Sequence, residues 1–230
     1  MLSWVLPLLV ALATPTRAAP AVHYGSLDRA TCESELTRRN IQFTPVAEAR
    51  GVLAPVRLTG PLHGVTYHSA LPARQRATSP YDILDCRLVL ALDDFSQILA
   101  KHDIVEVIHF SVYRPATSPV RRSRADGPRV QSLAHQHAGA LAIDAGWFKK
   151  RDGTVLQVER DFHGRIGTKT CGPGTGPSPA TPDARELRSI VCDAADARLF
   201  NVELTPDYNW PHRNHFHLEV TPQARWFLVH

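Results

Sequence analysis

The chain has 230 residues, of which 43% are apolar and 21% charged, and its formal charge is +4. This is the composition of a globular protein with a core of its own, in one compact domain or at most two small ones. The positive balance is too slight to argue for nucleic-acid binding, though it suits a polyanionic or cell-envelope setting.

Residues 1–18 read as a secretory signal. An almost unbroken apolar run from Leu2 to Thr14 precedes Thr16 and Ala18, small residues at the two positions that a signal peptidase reads. The segment before the run lacks the usual Lys or Arg. The run is too short to span a bilayer comfortably, and no later stretch is apolar enough for a membrane helix. No Cys follows the run directly, so no lipid attachment is expected. Cleavage would remove Arg17 and no acid, lowering the charge from +4 to +3.

Four cysteines remain in the mature chain: Cys32, Cys86, Cys171 and Cys192. An even count behind a signal favours two disulfides in an oxidising compartment. Three pairings are possible. Cys32–Cys86 and Cys171–Cys192 are expected, because each pair brackets a single segment. No two cysteines have the close spacing of a thiolate metal site.

Residues 19–31 read as a leader, flexible over 19–27, ahead of a single domain over 32–230. Residues 28–40 suit a short helix capped by Asp28, with Leu36 and Ile41 beginning its apolar face. Residues 43–64 are rich in Pro and Gly and read as irregular, with short edge strands. Residues 74–80 read as a polar loop. The strongest helix covers 82–102, where Leu84, Leu88, Leu92, Phe95, Ile98 and Leu99 recur at three- and four-residue intervals. Residues 104–113 are β-rich and form a strand that leads into Arg114 and Pro115. Residues 115–129 form a polar loop carrying Arg121, Arg122 and Arg124, either a solvated connection or a rim that meets an anionic substrate.

Residues 142–148 form a strand, 149–153 a hairpin turn and 154–158 the return strand. The loop over 160–182 contains CGPGTGPSP at 171–179, which lacks the Lys-Ser/Thr ending of a phosphate-binding glycine loop. Residues 183–200 form a helix with Asp183 as the N-cap candidate and Leu187, Ile190, Val191 and Leu199 on its apolar face. A short strand at 201–204, a loop at 205–214 and a last core strand at 215–220 complete the chain. The order implies an α+β fold, a small mostly antiparallel sheet with helices packed on one side.

Histidine is the unusual component. Five of the 12 fall in two stretches, LAHQHAGALAIDAGWF at 133–148 and NWPHRNHFHLE at 209–219. His137 and Asp144 are separated by six residues. His215 and His217 alternate with Phe216 and Leu218, so on a strand both imidazoles and Glu219 share a face. Two imidazoles and one carboxylate with an open position make a hydrolytic zinc site, so His137, Asp144 and His217 are the candidate ligands of a Zn2+ ion. Ala142 and Gly146 leave room around the carboxylate. His215 is placed to act as a general base, and His212 to stabilise an oxyanion or hold the substrate. Arg114 could bind a substrate carboxylate in two-pronged fashion, or be an ordinary salt-bridged arginine. His135 could be a fourth ligand, a support for one or a solvated loop residue. Glu219 could orient an imidazole or be an ordinary rim acid. His109, mid-strand, reads as a core or interface histidine. The same ligand types serve non-haem Fe(II) oxygenases, but there the first His and the carboxylate are one residue apart, and an exported chain is a poor home for Fe(II).

These residues resemble the extensin-like C-terminal domain family. The LAHQHAGALAID segment, then Gly146, Trp147, Phe148, Asp152 and Gly153, is similar to that family's Ser-Glu-His, small residues, Ala-Ile-Asp, Phe and Asp-Gly. The stretch from Leu204 to Asn209 with HRNHFHLE at 212–219 is similar to its Asp-His-Phe-His-Leu-Asp close. Cys32, Leu36, Phe43, Thr44, Pro45, Pro55, Val56 and the helix at Cys86 agree with its N-terminal part. The family is itself similar to the zinc D-Ala-D-Ala peptidases and the murein endopeptidases. The resemblance implies a D-Ala-D-Ala-peptidase/Hedgehog-like fold, His137, Asp144 and His217 as zinc ligands, His215 and His212 as catalytic residues and Arg114, in a Ser-x-Tyr-Arg motif begun by Ser111, as a substrate-binding residue. It departs from the pattern at His135 and Gln136, where Ser and Glu are usual, at Leu141, where Asn is usual, and in lacking a Cys near Gly51 and the carboxypeptidases' Glu-x-x-His base. Two functions follow. One is a secreted or periplasmic monomeric zinc peptidase or amidase acting on peptidoglycan peptides. The other is a non-catalytic metal-binding envelope module that binds wall peptide without hydrolysing it.

Overall fold

The structure, a computed structural model, describes residues 18–115 and 136–230. The basic loop with Arg121, Arg122 and Arg124, His135, and the signal segment up to residue 17 lie outside the described residues.

The fold is mixed α/β. Strands β1 (Phe43–Pro45), β2 (Pro55–Leu58) and β4 (Leu84–Asp85) make a small antiparallel sheet in the order β1-β2-β4. The main sheet holds β3 (Thr66–Ser69), β5 (Ile104–His109), β6 (Ala142–Lys150), β7 (Val155–Gln157), β8 (Val202–Leu204), β9 (Phe216–Glu219) and β10 (Leu228–Val229). Its order is β10-β8-β9-β6-β5-β3, with β7 also pairing β6. Only β3–β5 and β8–β10 are parallel pairs, so the sheet is mostly antiparallel as expected.

The helices are α1 (Pro20–Gly25), α2 (Arg29–Arg38), α3 (Ala73–Arg76), α4 (Cys86–Lys101), α5 (Val158–Asp161) and α6 (Pro182–Asp196). Asp28 caps α2 by accepting from Thr31 N at 2.8 Å, as its position predicts. Helix α4 is the centre of the core. Its successive residues Leu88, Val89, Leu90, Ala91 and Leu92 have no exposed surface, so its first half is enclosed all round rather than on one face. The disulfides are Cys32–Cys86, joining α2 to the start of α4, and Cys171–Cys192, joining the long loop to α6, which is the expected pairing. They suit an extracellular protein. Among the described residues no helix is long and apolar enough to cross a membrane.

Several boundaries differ from the sequence reading for local physical reasons. Residues 19–27 are not a flexible leader. Ala21 and Tyr24 of α1 are buried, and Arg39 bridges Tyr24, Asp93 and Asp94, which fastens α1 to α4. The helix expected from residue 82 begins at Cys86, because Leu84 and Asp85 pair with β2 and the Asp85 side chain caps the helix at Arg87 N. Thr181, not Asp183, caps α6, by accepting from Ala184 N, and Pro182 takes the first helical position. Residues 74–80, expected as a loop, include most of the one-turn helix α3. Strands β3 and β10 are absent from the sequence reading. Each is short and gains its place only by parallel pairing on an existing edge.

A bulge in β6 separates the core from the other face of the sheet. His109 pairs with Ala145, but Ile108 pairs with Trp147, so Gly146 is the extra residue. The slip puts Ile143, Ala145 and Phe148 on one face, with Val107, Phe216 and Leu218, and all six join the buried apolar cluster with α4 and α6. Ala142, Asp144, Trp147, His217 and Glu219 share the opposite face.

Glu203 in β8 lies on the core side of this arrangement, opposite Leu218. It has no exposed surface, and neither carboxylate oxygen has a hydrogen-bond partner among the described residues. Burial, with a smaller push from Asp196, raises its carboxyl well above the usual range. The unfolded chain releases this proton from about pH 4.5 upward while the folded chain keeps it, so stability declines as pH rises from there toward the raised folded value. Replacing Glu203 with Met should remove that slope and raise stability at pH 7 by about 1–3 kcal/mol, because it removes a buried group with no partner. Urea unfolding of both proteins from pH 4 to 8 measures this. Parallel pH profiles would refute it.

Candidate metal centre

His137 begins a 3-10 turn, His137–Gly139, which the left-handed Ala140 (φ 54°) turns into β6. The backbone of Arg114 donates to the His137 carbonyl at 3.0 Å, so the segment that follows β5 is tied to the turn. Asp144 lies directly opposite His217 across the β6–β9 ladder. His215 falls one residue before β9 rather than in it.

Four sequence-predicted side chains meet at one atom. His137 Nε2 and His217 Nδ1 are each 3.0 Å from Asp144 Oδ1, and His215 Nε2 is 3.3 Å from it. His137, Asp144 and His217 are all buried, and their potential ligand atoms lie within 4.8 Å of one another. The other oxygen, Asp144 Oδ2, accepts from Ser111 Oγ and from Arg114, both at 3.0 Å. One carboxylate oxygen is therefore held by the chain and the other is presented to the imidazoles.

The outer partners set the chemistry of the inner atoms. His137 Nδ1 lies 2.7 Å from the Val112 carbonyl, which can only accept, so Nδ1 carries the proton. His217 Nε2 lies 3.2 Å from the Glu219 carboxylate and carries its proton there. His215 Nδ1 faces Asn214 Oδ1 at 2.8 Å. In the neutral tautomers each inward nitrogen then presents a lone pair to a carboxylate oxygen. That is an acceptor facing acceptors, and it is relieved by added protons or by one cation. Two imidazoles and a carboxylate are the donor set of a divalent transition metal, and their outer hydrogen bonds are those that orient metal-bound histidines. The residues present fit such an ion.

The same geometry governs protonation. Burial pulls the His217 imidazolium down, but hydrogen bonds to Asp144 and Glu219 outweigh it and raise the group to about 9. Burial pushes Asp144 up, but the hydrogen bonds from His137, His215 and His217 hold its carboxyl well below the usual range. His212 goes the other way. Burial, then the electrostatic influence of His217 and His215, lower it to about 4, so it is neutral at pH 7. Its ring centre is 5.3 Å from that of His215 and 5.7 Å from that of His217. Asn209 Oδ1 accepts from the His212 backbone N at 3.3 Å and from Nδ1 at 2.6 Å, which leaves Nε2 as a lone-pair acceptor.

Arg114 is the salt-bridged arginine that the sequence reading gave as the alternative to a substrate clamp. Its side chain is 55% exposed and one guanidinium nitrogen is occupied by Asp144. The space expected beside Gly146 is filled: a Cβ there would lie 2.5 Å from Phe110 Cζ, and the Phe110 ring stands edge-on to Trp147 and His215. His109 is buried on the core side, as a core histidine. Sequence reasoning did not single out Asn209 or Asn214. The available signal was an Asn three residues before His212 and another just before His215, in a segment already rich in histidine.

Residues 30–228 match the family described as Extensin-like protein C-terminus. No curated protein and no solved structure matches the chain. The match encloses every residue of the histidine cluster and both disulfides, and on it the chain belongs to the extensin-like protein C-terminus family.

Proposed function

We propose that this protein is a secreted or periplasmic zinc-dependent peptidase or amidase that acts on peptidoglycan peptides as a monomer. The observation that carries the reading is the convergence of His137 Nε2 and His217 Nδ1 on Asp144 Oδ1 with their outer nitrogens already committed. The motif similarity to the D-Ala-D-Ala peptidases supports a D-Ala-D-Ala-peptidase/Hedgehog-like arrangement of the sheet, and the apolar run over 2–14 supports export.

His137, Asp144 and His217 would hold the zinc, which supplies Lewis acidity toward a carbonyl and a water. The chain's own residues do the rest. His215, with Nδ1 on Asn214 and Nε2 turned to the centre, takes the proton of the attacking water and delivers it to the leaving amine. Neutral His212, with an acceptor nitrogen, holds a substrate N–H. The unused N–H groups of Arg114 bind a substrate carboxylate. A second reading, a metal-binding module without turnover, is favoured by Arg114 being engaged with Asp144 and by Asn214, not a Glu base, standing three residues before His217.

Mature wild-type protein should hold about one zinc per chain, and Asp144→Ala should lose it, as elemental analysis would measure. No zinc in the supplemented wild type would end the hydrolytic reading. His215→Ala should keep the zinc and lose muropeptide turnover by a factor of about 100 to 10,000, the range for a general base. Metal bound with no wild-type turnover on any muropeptide would favour the module instead. Glu219→Gln should weaken zinc binding by about 10- to 100-fold, as loss of an imidazole's outer carboxylate does. Competition with a chelator reads this, and an unchanged affinity would place Glu219 outside the site's support.

A further inference from the structure

Two cavities meet beside the loop that delivers His212. One, of about 710 Å³, is lined by His163, Arg165, Thr168, Lys169 and Thr175. The other, of about 430 Å³, is lined by Glu159, Ile166, Pro206, Trp210 and Arg213. His163, Gly164 and Ser178 border both, so they form one cleft. Each part is of the size of a small-ligand site, which spans roughly 300–1,000 Å³. Trp210 and Arg213 flank His212 in the chain, so one end of the cleft borders the loop that carries His212.

The cleft walls are fixed in place. Asp207, without exposed surface, accepts from the backbone N of Arg165 at 2.7 Å, from Arg188 at 3.0 Å and from Thr170 Oγ1 at 3.1 Å. Its carbonyl accepts from Gly167 N at 2.7 Å. One buried carboxylate thus pins the 163–170 segment to the loop before His212. Ser178 N donates to the His163 carbonyl at 3.3 Å and closes the loop on itself, and Cys171–Cys192 ties it to α6. His163 is held at φ 51°, a left-handed conformation that a non-glycine residue adopts only when its surroundings impose it.

The lining has a definite chemistry. Arg165, Lys169 and Arg213 are opposed by one acid, Glu159. Thr168, Thr175 and Ser178 add hydroxyls. Trp210 is 67% exposed, and the Arg213 guanidinium sits 4.5 Å from its ring centre, which keeps the indole as a flat platform. A peptide ligand would need pockets for its side chains, and here the lining offers basic and hydroxyl groups beside one flat aromatic. A pyranose ring presents an apolar C–H face to such a platform and hydroxyls at its edge. Carboxylates on the sugars match the arginine and lysine.

We propose that this cleft binds an acidic glycan chain, with sugar carboxylates on Arg165 and Lys169 and a ring stacked on Trp210. The inference extends the function proposed above, since a glycan seated here would bring an attached peptide to the His212 end. It rests on that function only for this direction of travel, because glycan binding requires neither metal nor turnover.

The test is calorimetric titration of the mature full chain at low salt with tetragalacturonate, neutral cellotetraose and tetraglutamate. Tetragalacturonate should bind at least about tenfold more tightly than either of the others, a difference of roughly 1.4 kcal/mol. Arg165→Ala with Lys169→Ala should weaken it by about tenfold or more, and so should Trp210→Ala, whereas Trp210→Phe keeps most of the affinity because the platform remains. Asp144→Ala should bind the glycan as the wild type does. No binding, equal binding of tetraglutamate, or affinities unmoved by both sets of substitutions would overturn the proposal. Absent turnover with glycan binding intact would count against the hydrolase alone, and turnover with no glycan binding against the cleft alone.

Discussion

The centre of this protein is organised by a conflict between lone pairs. Asp144 Oδ1 is buried and faces three imidazole nitrogens, each with its other nitrogen already bonded outward to Val112, Glu219 or Asn214. A buried carboxylate oxygen without a donor is costly, and neutral imidazoles in these tautomers offer Oδ1 none. The chain has two remedies, protons or a cation. Without a cation the proton remedy operates, which is why His217 is held at about 9 against the pull of burial. Protons and a metal ion compete for the same lone pairs at such a site, and binding of one expels the other.

The fold exists in the form it does to hold that conflict in place. Strand β6 serves two masters, the α4–α6 core on one face and the histidine cluster on the other. A plain alternation would carry Phe148 to the same face as Asp144. The bulge at Gly146 shifts the phase, so Phe148 goes to the core and Trp147 joins the Asp144 face. The support also reaches further back. Glu219, which orients His217, is hydrogen-bonded to the Thr221 hydroxyl, and the Thr221 backbone N donates to Asn201 Oδ1 at the foot of β8. The position of one imidazole is therefore traced through three residues to the neighbouring strand.

What was legible in the sequence follows from these dependencies. His217 and Glu219 on one face, and Asp144 in a strand, follow from a period of two and need no long-range information. The α4 segment, the Asp28 cap and the disulfide pairing were readable because each is local or brackets a single segment. The bulge was not, because a glycine among small residues looks the same whether it opens space or admits Phe110. Helix α1 was missed because its six residues are too short to signal a helix by themselves and depend on Arg39, Asp93 and Asp94, far away in the chain. Strands β3 and β10 depend on edges that exist only once the sheet has formed. The Asp207 hub was missed for the same reason, as its partners at 165, 167, 170 and 188 come together only in the folded chain.

The departures from the family pattern can be placed on the same physical scale. Gln136 stands where Glu is usual, yet what this position gives the turn is its carbonyl, which accepts from Gly139 N at 3.1 Å and Leu141 N at 2.9 Å. Leu141 stands where Asn is usual. Its side chain is buried in the apolar cluster, and its carbonyl accepts from Val220 N at 3.0 Å, locking the start of β6 to the end of β9. At both positions the main chain does the structural work, and any residue that tolerates the local backbone preserves the approach of His137 to Asp144. Neither departure removes a member of the His137–Asp144–His217 cluster or an outer hydrogen-bond partner of one. The absence of a Glu three residues before His217, where Asn214 stands, is different in kind, because among the described residues no carboxylate other than Glu219 approaches Asp144 and its imidazoles, and Glu219 is already committed to His217 and Thr221. Proton transfer in this chain, if the centre hydrolyses, therefore falls to imidazole rather than to carboxylate. Of His212 and His215, His212 is held neutral at pH 7 first by burial and then by its neighbours, and His215 is the one that lies within reach of Asp144 Oδ1.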